Sequence, residues 1–430
     1  MPSLRYLAAG IAMTLAATMT PALAAPTPAA SGTLLVADVV IEQRRVVPIG
    51  TDHASPWGNV LIEDGVASLG GQVGTFLRRG LAVTSIGPGT QDAVQMTFPE
   101  GSLVMQASGT WFGPDEAAVV GGTGRYAGAR GSASVTYSGA VSRWEFTLLD
   151  GSGAASDSQP TVLEYPRELV ELDRISLAAE GSTVGNQART IGRLLDDSGI
   201  VADYTSTSTV VQDLADGRER RAVHAMFDFR GGSLIVNGMI VAGSGALPGA
   251  SAQYAVSGGT GVFAGVSGIA EYLPGGAAIS DVWRFTLFGL DPDADARTIG
   301  PAHQEQTRYI RTLASGTAGG DVGDIVAAGG WLRSGAAPRA HWWVSAQVVG
   351  TTRDLGGVIA QDLLSFVQYS WGADKVFVLG VARTSPQDGP RIPTTRAVIG
   401  GLGAYVGASG AVTMRPKAPR QWRTTIDLLL

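Results

Sequence analysis

The chain has 430 residues, among them 60 glycines and 21 prolines, only 16% charged residues, and a formal charge of −6. No lysine or arginine block stands out, which argues against nucleic-acid binding. There is no cysteine, which excludes disulfides, thiolate nucleophiles, cysteine metal sites and a lipid anchor on a processed cysteine.

The N-terminus reads as an export signal at residues 1–24. Arg5 is followed by an apolar stretch from about Leu7 to Met19 and a small-x-small cleavage pattern at Ala22-Leu23-Ala24. That stretch is short for a membrane span, and no later segment is apolar enough to cross. The expectation is a secreted or periplasmic protein with no membrane partner once the signal is removed. An Ala/Pro/Thr/Ser-rich leader follows.

Three stretches then repeat one pattern. Gly121-Gly122-Thr123-Gly124-Arg125-Tyr126-Ala127-Gly128-Ala129-Arg130-Gly131 returns at Gly258–Gly268 and again at Gly400–Gly410. Each copy is followed by a Trp in a strand-like run, and Trp144, Trp283 and Trp422 are spaced by 139 residues in both steps. So long a period is no solenoid unit. The reading is three domains at 33–150, 162–290 and 303–430, joined through a Gly/Ala/Ser stretch at 151–159 and an Asp/Ala tract at 291–296.

Within the copies the period is two. Trp144, Phe146 and Leu148 alternate with Arg143, Glu145 and Thr147, and the runs after Trp283 and Trp422 keep the phase, the mark of a half-buried antiparallel strand. A hairpin upstream joins the first two copies: Phe98-Pro99-Glu100-Gly101-Ser102-Leu103-Val104 aligns with Phe229–Ile235. In the third copy Arg383–Pro390 stands in its place and the match fails. The predicted class is all-β, about eight strands per copy, closed as barrels or packed as sandwiches. The period does not decide between the two.

The glycine motif is not a phosphate loop. It lacks the Lys-Ser/Thr pair and the following helix, since Ser132–Tyr137 reads as a strand. Its glycines suit a strand-to-strand corner, with Tyr126, Phe263 and Tyr405 plugging the barrel end.

The motif, the Gly-Ser-Leu hairpin and the closing aromatic strand resemble the dirigent proteins, which share a barrel with the allene oxide cyclases. The resemblance is complete in copy one, keeps the glycines, aromatic and hairpin in copy two, and is reduced to the glycine skeleton and Tyr405 in copy three. It implies three tandem eight-stranded antiparallel β-barrels, each with a central apolar pocket. It implies an activity of stereocontrol: holding phenoxy radicals made by a separate oxidase, or folding a reactive epoxide into a ring. The implied partners are an apolar or phenolic small molecule and that oxidase. No cofactor is implied, in keeping with four histidines too scattered for a zinc site.

The resemblance also puts Arg130 in the first barrel's pocket, where a guanidinium could hold a phenolate or polarise a carbonyl; the alternative is an inert arginine at the barrel rim, paired with a carboxylate. Ser267 and Ser409 replace it in the other copies, so only the first barrel is expected to act in the family manner. Asp38 and Glu42, in the first strand, are the candidate pocket acids, with outward-facing strand carboxylates as the alternative. His341, beside Trp342 and Trp343, is either a base in an aromatic pocket or a strand-edge histidine. The rival to stereocontrol is a non-catalytic extracellular protein that captures small molecules or partners.

Overall fold

The computed structural model describes residues 32–48, 59–82, 89–110, 113–149, 159–177, 182–243, 250–275, 280–289, 297–312, 322–334, 337–353, 359–385, 389–390 and 392–429. The expected export signal and leader, and all of the two expected linkers but Gln159, lie outside these residues.

The described chain is all-β, and the choice between barrel and sandwich falls to the barrel. The first barrel comprises β1 (Gly32–Val47), β2 (Val60–Leu69), β3 (Gln72–Ala82), β4 (Gly89–Phe98), β5 (Gly101–Thr110), β6 (Glu116–Gly122), β7 (Gly131–Ser138) and β8 (Val141–Leu149). Each strand pairs antiparallel with its neighbour in sequence, and β1 pairs with β8 to close the ring. The second repeats this with β9 (Thr161–Ile175), β10 (Gln187–Asp196), β11 (Gly199–Asp213), β12 (Glu219–Phe229), β13 (Gly232–Ala242), β14 (Ala252–Gly259), β15 (Ser267–Leu273) and β16 (Val282–Phe288). The third uses β17 (Arg297–Thr312), β18 (Ile325–Ser334), β19 (Ala337–Arg353), β20 (Ile359–Trp371) and β21 (Asp374–Ser385). A two-residue β22 (Gly389–Pro390) precedes β23 (Thr394–Leu402), β24 (Ser409–Ala418) and β25 (Gln421–Leu429), and the β20–β21 pairing closes this barrel too.

The alternation at the closing strands sets inside from outside. In β8, Ser142, Trp144 and Phe146 are buried between exposed Val141, Arg143, Glu145 and Thr147, and Trp144 and Phe146 lie in the barrel-1 core with Phe76 and Met96. Trp283 and Trp422 do the same in their barrels.

The third copy does have the hairpin that seemed to be missing. It is the β20–β21 turn, where Trp371 pairs with Asp374; Arg383–Ser385 end β21 away from this turn, and Gly389–Pro390 form β22. The spacing carries the signal, since Trp371 precedes Gly400 by 29 residues just as Phe229 precedes Gly258. At this end the motif aromatics pack on the hairpin aromatics: Tyr126 on Phe98, Phe263 on Phe229 and Tyr405 on Trp371.

The motif also joins the barrels. Its Thr-Gly step enters a short 3-10 turn, with Gly124 at φ 56° and a Cβ there 2.2 Å from the Glu100 carbonyl oxygen, so no other residue fits. The first glycine of each pair has a different reason. A Cβ on Gly121 would stand 2.8 Å from the Ala255 Cβ of barrel 2, one on Gly258 3.0 Å from the Val398 oxygen of barrel 3, and one on Gly400 2.9 Å from a Val120 methyl of barrel 1. The contacts run in a cycle. Strands β6, β14 and β23 touch one another in all three combinations, and Val104, Val120, Ile235, Ala255, Phe377 and Ile399 form part of a shared core on their outer faces. The chain is thus a quasi-threefold assembly of its own repeats. Gly121→Val should force the junction apart and lower stability by about 1–3 kcal/mol, the usual cost of overpacking. Gly243→Ala, at a site with nothing within 4 Å, is the neutral control, and chemical denaturation reads both.

A polar pair also lies where the barrels meet. His224 on β12 and Arg79 on β3 are half-buried there, and burial, followed by the Arg79 charge, lowers the His224 pKa to about 4. The imidazole is therefore neutral when folded and protonates near 6.5 when unfolded. The unfolded chain binds more protons between those values, so stability is full above about pH 6.5 and lost as pH falls towards 4. His224→Gln should flatten that part of a Tm-against-pH profile relative to wild type.

Candidate functional site

The three barrels differ most in how they treat a buried arginine. In barrel 1, Arg78 on β3 points inward and is 1% exposed at its side chain, as are its partners Glu63 (2%) and Asp92 (0%) nearly so. Its guanidinium donates to Glu63 at 2.9 Å, Asp92 at 3.0 Å, Thr90 at 3.2 Å and the Thr110 carbonyl at 2.8 Å. Desolvation alone would lower the Arg78 pKa, but Asp92 and Glu63 outweigh it and hold it above the ordinary value. Burial pulls Asp92 upward; the ionised carboxylate is nonetheless the form that Arg78 and Thr90, both donating to it, satisfy.

In barrel 2, Arg167 on β9 lies 3.4 Å from Asp281 and over the rings of Tyr272 and Tyr204, at 5.3 and 6.0 Å from their centroids. Trp283 stands against Tyr204, Tyr254 and Tyr272. The phenol of Tyr272 donates to Asp281 at 2.5 Å. Both arginines thus have a carboxylate, as a buried charge requires.

Arg396, on β23 of barrel 3, has none among the described residues. It is 5% exposed and points into the barrel: Val398, two residues on and on the same face, joins the barrel core, while Ala397 between them joins the inter-barrel core. Its Nε has no hydrogen-bond partner, and one terminal nitrogen faces the Met414 sulfur at 2.8 Å. Burial lowers its pKa, with the Tyr369 phenol opposing. Gly380, on the neighbouring β21, makes the room: a Cβ there would be 3.1 Å from the Arg396 Cγ.

Arg396 lines a small cavity of ≈50 Å³ with mostly apolar walls. Trp342 and Trp422 stand in it perpendicular to one another, centroids 6.2 Å apart. Their indole N–H groups donate to the Glu305 carbonyl at 3.1 Å and the Pro390 carbonyl at 2.9 Å, which leaves the rings as apolar walls. Gln304 accepts from Tyr369 and Thr424, both at 3.0 Å, and the buried amide nitrogen of Gln306 has no partner. Two unsatisfied donors, one of them cationic, ask for an anionic acceptor.

The sequence carried a signal for this residue. Arg396 stands four residues before the first motif glycine, as Tyr254 and Ala117 do in the other copies. One inward position is therefore Ala, Tyr or Arg, facing Ala107, Gly238 or Gly380 across the sheet.

The expected residues lie elsewhere and do not converge. Arg130 is buried at the junction of all three barrels. Its terminal nitrogens donate to the carbonyls of Val120 in barrel 1, Ile399 in barrel 3 at 3.0 Å and Val266 in barrel 2 at 3.1 Å. Val120 and Ile399 are the extra residues of β-bulges in β6 and β23, which frees their carbonyls from the ladder. Burial lowers the Arg130 pKa to about 10. Asp38 is exposed on the outside of β1, 3.6 Å from an equally exposed Arg143. Glu42 is exposed at a register shift in the same strand. His341 is exposed, with its ring 3.6 Å from that of Trp331.

No family model matches the chain, and no curated protein matches it by sequence. Among solved structures, pyocyanin demethylase aligns at 15% identity and a TM-score of 0.26, over 30% of this chain and 100% of that one.

Proposed function

We propose that this is a small-molecule-binding protein whose third barrel takes an amphipathic anion: an aromatic or alicyclic body with one carboxylate or phenolate oxygen. The observation that carries this reading is Arg396, a buried guanidinium in an apolar pocket with no carboxylate partner among the described residues. The anionic oxygen would take the Arg396 and Gln306 donors, and the ring would lie against Trp342 and Trp422. Two of the walls being tryptophans, binding should quench intrinsic fluorescence saturably. Titration with a series of aryl carboxylates and phenols tests this, and a series that leaves the emission and the melting temperature of the protein unchanged would sink it.

The dirigent-like motif supports a second, catalytic reading of the same pocket. A phenoxy species held by its oxygen presents one face to a coupling partner, which is what stereocontrol needs. The reaction site would then be barrel 3 and Arg396 rather than barrel 1 and Arg130. Oxidation of a prochiral phenol by a separate one-electron oxidant, with and without the protein, decides it: a racemic product in both cases leaves capture alone. Export of the chain belongs to the same proposal, because both readings suit a protein that meets its ligand outside the cytoplasm.

A further inference from the structure

A second cavity lies between the barrels and not inside any of them. It is small, ≈60 Å³, and is lined chiefly by the outer faces of all three, with Asp92 of barrel 1, whose carboxylate is taken up by Arg78, also on its wall. Barrel 1 contributes Arg79, Gln91 and Gln106, barrel 2 contributes His224, and barrel 3 contributes Ser345 and Gln347. Strand β19 divides it from the barrel-3 pocket, with Ser345 and Gln347 facing the junction and Val344 facing inward.

The polar groups here are incompletely paired. Arg79 has no hydrogen bond or ion pair among the described residues, and its buried Nε has no partner. The Gln106 amide nitrogen and the Gln91 amide oxygen are also buried and unpartnered. Asn237 fixes the His224 tautomer: its amide nitrogen donates to Ser257 at 2.8 Å, so its oxygen accepts from His224 Nδ1 at 2.7 Å. The neutral ring is left with Nε2 as an acceptor. The cavity therefore combines a cation and an amide donor with two acceptors. A plain anion would satisfy only the donors.

We infer that this inter-barrel cavity binds free hydrogen phosphate, which keeps a P–OH at neutral pH. Its charged oxygens take the donors of Arg79 and Gln106, and its hydroxyl donates to His224 Nε2 or Gln91 Oε1. Sulfate has the same shape and no hydroxyl at neutral pH, so the acceptors would be left unpaired, and discrimination against it follows. Because the lining comes from three barrels, the bound group ties them together.

Isothermal titration of the intact protein with inorganic phosphate, sulfate and glycerol phosphate, at constant ionic strength in a non-phosphate buffer, is the test. Saturable heat with phosphate is expected, at least tenfold weaker binding of sulfate, and loss of phosphate binding in Arg79→Gln. Glycerol phosphate is mainly a dianion without a P–OH at neutral pH, so it should bind more weakly than phosphate, and equal binding would overturn the role given to the hydroxyl. Arg396→Met should leave the phosphate response intact, so failure here is separable from failure of the barrel-3 reading. Absence of phosphate heat in wild type, equal affinity for sulfate, or binding that survives Arg79→Gln would overturn the proposal. The wild-type titration stands even where a variant does not fold.

Discussion

Arg396→Met should weaken binding of an anionic ligand by about 30-fold or more while leaving the empty protein as stable or more stable. Removing one partner of a buried, hydrogen-bonded charge pair typically costs about 2–5 kcal/mol of binding, and every 1.4 kcal/mol is tenfold. The empty protein has the opposite interest. A guanidinium held among Met414, Tyr369 and two tryptophans, with Nε unpartnered, has lost its water and gained little in return. Methionine fills much of the same volume without that desolvation, so an unchanged or higher Tm is expected. Fluorescence titration and thermal unfolding of the same preparation measure the two effects. Opposite signs mark a residue kept for its ligand at the expense of stability. If Arg396→Met instead lowered the Tm sharply and left ligand affinity intact, the residue would be structural and the pocket reading lost.

The pocket escaped the sequence reading for a definable reason. A period of two separates the two faces of a strand, and in a free-standing barrel one face is wet. It worked for β8, where Arg143 and Glu145 are exposed and Trp144 is not. In β6, β14 and β23 both faces are buried, one in a barrel and one in the junction. An arginine near such strands can face either way. Arg130 sits ahead of β7, and its motif position suggested a barrel interior; its donors go instead to bulge carbonyls on two barrels and to a third carbonyl, Val266. What the motif did carry, the number of barrels and the corner glycines, depends only on local geometry repeated three times. The junction depends on which residues meet across copies, and no spacing within one copy encodes that. The loss of arginine from copies two and three therefore has a packing reason. Ser267 and Ser409 occupy the same motif position as Arg130, and three guanidiniums converging on one axis would repel.

Arg130→Met should cost about 3 kcal/mol or more of stability, the opposite sign to the same substitution at Arg396. The carbonyls of Val120, Ile399 and Val266 would each lose a charged donor in a place water does not reach, and each buried acceptor left so costs about 1–3 kcal/mol. The carbonyls are not each worth the full figure, since an oxygen has two lone pairs and the contributions are not additive, so the lower end is the safer expectation. The consequence also differs in kind. Each of the three carbonyls belongs to a different barrel, so the loss falls on the contacts between barrels rather than on any one core. Calorimetry should show the wild-type transition moving down and separating into steps as barrels unfold independently. Binding at the barrel-3 pocket should persist below the first of those steps, because Val344, Trp342 and Trp422 lie within one barrel. A variant that kept its single transition and its Tm but lost stereocontrol over phenol coupling would return Arg130 to a pocket role.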